Sequence, residues 1–110
     1  MISILERSFN FNGFNCYVIL RHMGKSAYRC GYVQVSKRLP INTASINCHG
    51  GITYAHKEAP SPLEINDKGK WYIGFDCAHA FDTTDFWTVD RVSDELRQIV
   101  GQILSGESEE

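Results

Sequence analysis

Through most of the chain short apolar runs alternate with clusters of turn-forming residues, and only near the end does the apolar spacing change to that of a helix. Cys16-Tyr17-Val18-Ile19-Leu20 is β-branched and aromatic and is stopped by His22 and by Met23-Gly24-Lys25-Ser26. That pattern predicts a strand and a hairpin, with the return strand over residues 28–35 and Gly31 as a bulge or a close backbone approach. Ahead of it, residues 1–15 set Phe9, Phe11 and Phe14 among Asn10, Asn12, Gly13 and Asn15. This reads as an edge strand or extended arm with a bulge or turn at Gly13.

Residues 36–40 break the pattern, and Asn42, Thr43 and Ser45 extend the loop. The next strand is expected to begin at Ile46, to be interrupted by His49-Gly50-Gly51, and to resume over residues 52–55. A glycine pair inside a strand pattern admits positive φ or a close approach, which signals a bend or a ligand. Residues 56–70 carry Pro60, Pro62 and Gly69 with no apolar period, the mark of a long irregular loop. Residues 71–75 restore the strand pattern, with Trp71 and Phe75 expected in the core. Residues 76–87 are too polar for a buried strand and form the expected functional loop.

Val89, Val92, Leu96, Ile99, Val100, Ile103 and Leu104 then fall on one face of a helix. Thr88 suits its cap, Asp90, Asp94 and Glu95 suit the positive end of its dipole, and Gly106 is expected to end it, leaving 105–110 as a frayed acidic tail. Strands followed by one amphipathic helix predict a single α+β domain over 1–110, an antiparallel meander-like sheet covered by the C-terminal helix. On that plan the strands bearing His49 and Asp76 are neighbours.

Composition narrows the classes. A chain of 110 residues, 43% hydrophobic and 22% charged, is sized for one ordinary globular domain. A net charge of -2 and a pI near 6.1 argue against general nucleic-acid binding. No apolar run approaches the ~20 residues that span a bilayer and the start lacks a signal-peptide pattern, so a cytoplasmic protein is expected. Cys16, Cys30, Cys48 and Cys77 are then reduced thiols, and the absence of a C-x-x-C pair disfavours a zinc ribbon.

The candidate chemistry gathers in Cys48-His49-Gly50-Gly51 and in residues 71–82. His49, Asp76, His79 and Asp82 offer two imidazoles and two carboxylates, a donor set that suits a divalent metal such as zinc or manganese. The three-residue spacing from Asp76 to Asp82 unites its members only on a helical turn; otherwise Asp76 caps a turn, His79 is a satisfied histidine and Asp82 is solvated. Cys77 with His49, or Cys48 with His79, invites a thiol nucleophile, against the commoner outcome of an inert buried thiol. A third reading needs no cofactor: His49, Gly50, Gly51, Tyr54, Trp71, Asp76, His79 and Asp82 line a binding surface for a protein or a small anionic or nucleotide-like ligand, with the Gly50 and Gly51 amides exposed to it, Lys37, Arg38 and Lys57 adding charge and Tyr72, Phe81, Phe86 and Trp87 adding aromatic surface. Trp87 equally suits a staple at the helix start.

The blocks Tyr28-Arg29-Cys30-Gly31-Tyr32-Val33, His49-Gly50-Gly51-Ile52-Thr53-Tyr54 and Trp71-Tyr72-Ile73-Gly74-Phe75-Asp76-Cys77-Ala78-His79-Ala80-x-Asp82 resemble a set of small uncharacterised proteins of bacteriophages and prophages. The resemblance spans roughly residues 28–82, and its third block is the most specific. In that set the position of Phe81 is often Gly, and the loop after Val35 holds a Gly-His-Pro segment that this chain lacks. The resemblance implies a phage context and carries no activity.

From these residues and that context the leading expectation is a phage accessory protein that acts by binding in the host cytoplasm. Its partner would be a host protein or a small nucleotide-like ligand, and its effect would be to inhibit a host nuclease complex such as CRISPR or to sequester a nucleotide signal. The alternatives are a small metal-dependent phosphoester hydrolase on His49, Asp76, His79 and Asp82, and a structural subunit of an oligomer.

Overall fold

The computed structural model describes residues 1–36, 41–64 and 67–108. Five strands, β1 (Ile2–Phe11), β2 (Phe14–Met23), β3 (Ser26–Ser36), β4 (Tyr54–His56) and β5 (Lys70–Asp76), form one antiparallel sheet in the order β1-β2-β3-β5-β4, and α1 (Val89–Ser108) packs on it. The first three strands are a true meander. Asn12 and Gly13, both at positive φ (50° and 89°), close the first hairpin, the conformation a two-residue turn needs to match strand twist. Gly24, at φ 62°, opens the second. β1 is an edge strand along its whole length, with a register shift between Leu5 and Arg7.

The alternation of side chains gives the sheet two apolar faces. On one, Cys16, Val18, Val33, Val35, Ile73, Phe75 and Cys77 meet Val92, Leu96, Ile99, Val100 and Ile103 of α1. Each of these helix residues is buried, a gain of about 1.5–3 kcal/mol apiece over leaving it exposed. Gly31 makes no bulge: it pairs in register with Val18, and a Cβ there would stand 2.8–3.0 Å from Phe75, Leu96 and Val92. The glycine leaves the space into which Leu96 and Val92 of the helix and Phe75 of the sheet pack. On the other face Tyr17, Ile19, Cys30, Tyr32 and Tyr72 are covered by Tyr28, Tyr54, Ala59 and Leu63, so the irregular loop after β4 serves as a lid of its own. Arg21 ties that loop down by donating to Ser61 O (3.0 Å) while also reaching Tyr32 Oη (2.8 Å).

Four details differ from the sequence expectation. No strand begins at Ile46: Thr43–Ser45 is a 3-10 turn and pairing starts only at Tyr54, because Gly50 and Gly51 stand at φ 72° and 77°, which no ladder accepts. The meander does not continue, since β5 lies between β3 and the short edge strand β4. Trp71 is 39% exposed rather than in the core, whereas Phe75 is buried, and so is Tyr72, whose ring packs with Tyr17, Ile19, Cys30 and Tyr32 and offers no binding surface. Finally, the helix runs through Gly106 to Ser108; that glycine lacks the left-handed φ of a terminating residue, and residues 109–110 of the expected tail lie outside the described residues.

Candidate functional site

Two loops reach the same end of the sheet. The first, residues 46–53, pairs little with the sheet and is held by polar side chains of α1. Gln102 accepts from Asn47 N and donates to Asn47 O, both at 2.7 Å, and Glu95 accepts from His49 N at 2.8 Å. Gly51 N closes the loop onto Cys48 O (2.9 Å), so that amide is turned inward rather than offered to an anion. Thr53 N then bonds Gly74 O and leads into β4.

The second loop continues from β5. Cys77 still points into the core beneath α1, after which the chain turns: Asp82 N donates to His79 O (3.0 Å), with Phe81 at φ 71° and its side chain wholly in solvent. The turn is not helical, and it unites His79 with Asp82 while leaving Asp76 on the strand end. Arg29, from β3, donates to Thr84 O and Trp87 O (both 3.0 Å) and pairs with Glu6 at 2.7 Å, fastening the segment that leads into the helix. Thr88 Oγ1 accepts from Arg91 N and caps α1 as the sequence suggests.

Where the loops meet, Asp82 stands between two imidazoles. Its Oδ2 accepts from His49 Nε2 (2.8 Å), His79 Nδ1 (3.1 Å) and His79 N (2.9 Å), and its Oδ1 lies 2.9 Å from His49 Nε2. The Asp82 side chain is only 8% exposed, against 28% for His49 and 41% for His79. Burial raises the Asp82 carboxyl pKa, but the hydrogen bonds from the His49 ring, the His79 amide and the His79 ring together outweigh it and hold the group below the ordinary carboxylate range. A carboxylate only accepts, so the two ring nitrogens facing it carry their protons. The His49 ring also lies against Trp87, with centroids 4.3 Å apart, and edge-on to His79 at 5.1 Å. Beneath His79 there is room for no side chain at position 50, where a Cβ would overlap the imidazole.

The remaining candidates divide. Asp76 sits beside this centre, its Oδ1 3.9 Å from His79 Nε2, but its bonds go to Thr53 Oγ1 (3.0 Å) and Ala78 N (3.2 Å). Tyr54 stands farther along on the face away from α1, edge-on to Tyr32, and with Arg21, Tyr32, Thr53 and Asp76 it walls a cleft of about 310 Å³ that adjoins the His79 turn through Ala78. Trp71 belongs to neither: it borders a separate hollow with Val35, Ile41, Thr43 and Ala55. Lys37 and Arg38 lie outside the described residues, and Lys57 lines a surface hollow with Glu58, Glu64 and Lys68.

For a thiol nucleophile the surroundings are adverse. Burial, with Glu95 nearby, pushes the Cys48 thiol up to about 11, and burial pushes Cys77 up further still, whereas an attacking cysteine needs a lowered pKa. Glu95, Gln102 and Arg29, which position both loops, are not marked in the sequence as site residues. Only the placement of Glu95 one turn inside the helix, otherwise assigned to the dipole, hints at it. Comparison with known protein families, curated proteins and solved structures finds no match for this chain.

Proposed function

We infer that this chain works by binding, as an accessory protein of the phage type, through the surface on which His49, His79 and Asp82 meet and onto which the Tyr54–Asp76 cleft opens. The carrying observation is the buried carboxylate that fixes two partly exposed imidazoles by their ring nitrogens. Such an arrangement costs desolvation and two ordered side chains, and it presents rigid donors and acceptors to whatever docks beside them. The high thiol pKa values favour this reading over covalent catalysis. The adjoining cleft, at the lower end of the size range of small-ligand sites, favours a nucleotide-like ligand over a broad protein surface. Sequestration of a nucleotide signal in the host is the role that joins these features to the phage resemblance.

A plating assay tests it. Hosts that carry a nucleotide-signalling defence and express this chain should support phage growth at least about tenfold better than hosts expressing the His49→Ala/His79→Ala double variant at equal level. Full protection by the double variant would place the site elsewhere; no protection by the parent chain would remove the counter-defence role.

One observation favours a second reading, self-association. β1 ends the strand order, so one of its edges meets no strand among the described residues, and Ile2, Ile4 and Leu5 are exposed along it. Size-exclusion at two concentrations a hundredfold apart separates the cases, since pairing through this edge predicts a larger species at the higher concentration and a monomer throughout rejects it.

A further inference from the structure

We propose that His49, His79 and Asp82 form a binding site for one divalent transition-metal ion of the zinc class; this rests on the reading that the same pocket is the functional surface. Among the described residues these three side chains place one donor atom each within 4.8 Å of one another. They come from two loops 30 residues apart in sequence, and Asp82 holds both imidazoles by hydrogen bonds while other groups position the two loops. Glu95 fixes the His49 amide and Trp87 the face of its ring, the His79 turn is closed by Asp82 N, and Gly50 lies under the His79 imidazole. The donors are thus gathered before an ion arrives, by their own hydrogen bonds and by the packing of the loops that carry them.

The donors select the ion. Two imidazole nitrogens and one carboxylate suit zinc or the neighbouring divalent first-row metals and are a poor set for calcium or magnesium, which take oxygen. Three protein ligands leave a fourth position for water or a ligand atom, and the solvent-facing side of His79 provides access. The ion would take the place of the ring protons that now face Asp82, each imidazole coordinating in the tautomer that carries its proton on the other nitrogen. Binding would set a dication against the one buried carboxylate of the pocket. A ligand docking beside it would accordingly meet a positive centre, which matches the phosphate groups of a nucleotide. Asp76 remains outside the ligand set, occupied by Thr53 and Ala78.

The test uses the full chain, freed of any affinity tag, stripped with chelator, and titrated calorimetrically with zinc chloride and, in parallel, with cobalt chloride read by visible absorption. The proposal expects one equivalent of zinc per chain, a cobalt spectrum with nitrogen and oxygen donors, and affinity reduced about tenfold or more in each of His49→Ala, His79→Gln and Asp82→Asn. His22→Ala and His56→Ala, which alter histidines outside the site, should bind as the parent does. Circular dichroism of each variant guards against unfolding. Absence of a stoichiometric site, or a site that persists in His49→Ala and His79→Gln or is lost in His56→Ala, overturns it. If zinc fails to bind while the His49→Ala/His79→Ala variant still loses protection in the plating assay, the pocket acts without metal and only this inference falls. If zinc binds and the double variant protects fully, the metal site stands and the functional reading falls.

Discussion

Gly50 and His79 are packed face to backbone: the glycine, at φ 72°, passes so closely under the imidazole that a Cβ would occupy the ring's own space. Two independent costs therefore attach to a side chain at position 50. A non-glycine residue in the left-handed region costs roughly 1–2 kcal/mol, and the ring must also move. Gly50→Ala is expected to lower stability by about 1–3 kcal/mol in urea denaturation and to shift the His79 ring resonances. Gly51→Ala, with the same backbone conformation but open space around it, should cost stability alone and leave the His79 resonances where they are. Equal effects of the two on His79 would refute the packing argument.

Asp82 links this pocket to acid. Its carboxyl is held below the ordinary carboxylate range in the folded protein, so the folded state binds its proton less readily than the unfolded chain does. The contribution is fully present above the unfolded value of about 4 and is lost as pH falls through the lower folded value. Asp82→Asn cannot ionise. At neutral pH it should be less stable than the parent by about 1.5–3 kcal/mol, the worth of hydrogen bonds to a charged group, and the gap should narrow as urea melts are repeated from pH 6 down to pH 3. A gap that stays constant with pH would mean that the charge of Asp82 contributes nothing to folding.

The thiols should be slow. Cys16, Cys30 and Cys77 are buried and Cys48 is half-buried, and burial raises the pKa of all four, Cys16 and Cys48 to about 11. At pH 8 only a minute thiolate fraction exists, and access is poor. Ellman's reagent is expected to titrate the native protein slowly, Cys48 first, and all four at once in denaturant. A fast native thiol would revive the nucleophile reading that these surroundings disfavour.

The strands were legible where turn chemistry and apolar runs agree, as at Gly13 and at Met23-Gly24-Lys25-Ser26, and the helix was legible from the spacing of Val92, Leu96, Ile99 and Ile103. Their order was not. Nothing local in residues 52–55 says that β4 will sit at the edge and β5 will pair with β3, because the step past the β5 position is made by the long connection from β3 to β4, which carries no strand pattern of its own. From sequence, the His49 segment and the Asp76–Asp82 segment come together only on the premise that the strands bearing them are neighbours. The meeting of His49 with His79 arises instead from two loops, one of them carried by Glu95 and Gln102 of the helix, a connection that apolar periodicity cannot register because it runs through the polar positions of α1. Trp71 misled for a related reason. An aromatic in a strand pattern predicts burial only if another layer covers its face, and Trp71, opposite Val35 near the start of β5, lies outside the cluster that α1 covers.

Arg29 is the residue through which the sheet controls the site without touching it. Its guanidinium satisfies two carbonyls in the 83–88 segment and pairs with Glu6, and its side chain is 15% exposed. Removing it strands the Thr84 and Trp87 carbonyls and leaves Glu6 without its cation, so Arg29→Met, which keeps most of the aliphatic bulk, should cost about 2–4 kcal/mol. Lysine has one ammonium where three partners need a planar fork, so Arg29→Lys should recover only a minor part. The informative measurement is hydrogen exchange of residues 83–88 beside that of β2 and β3. Loosening confined to 83–88, with the His49 ring freed from Trp87, is the expected outcome; uniform acceleration across the sheet would show that Arg29 serves global stability and not the placement of the loop.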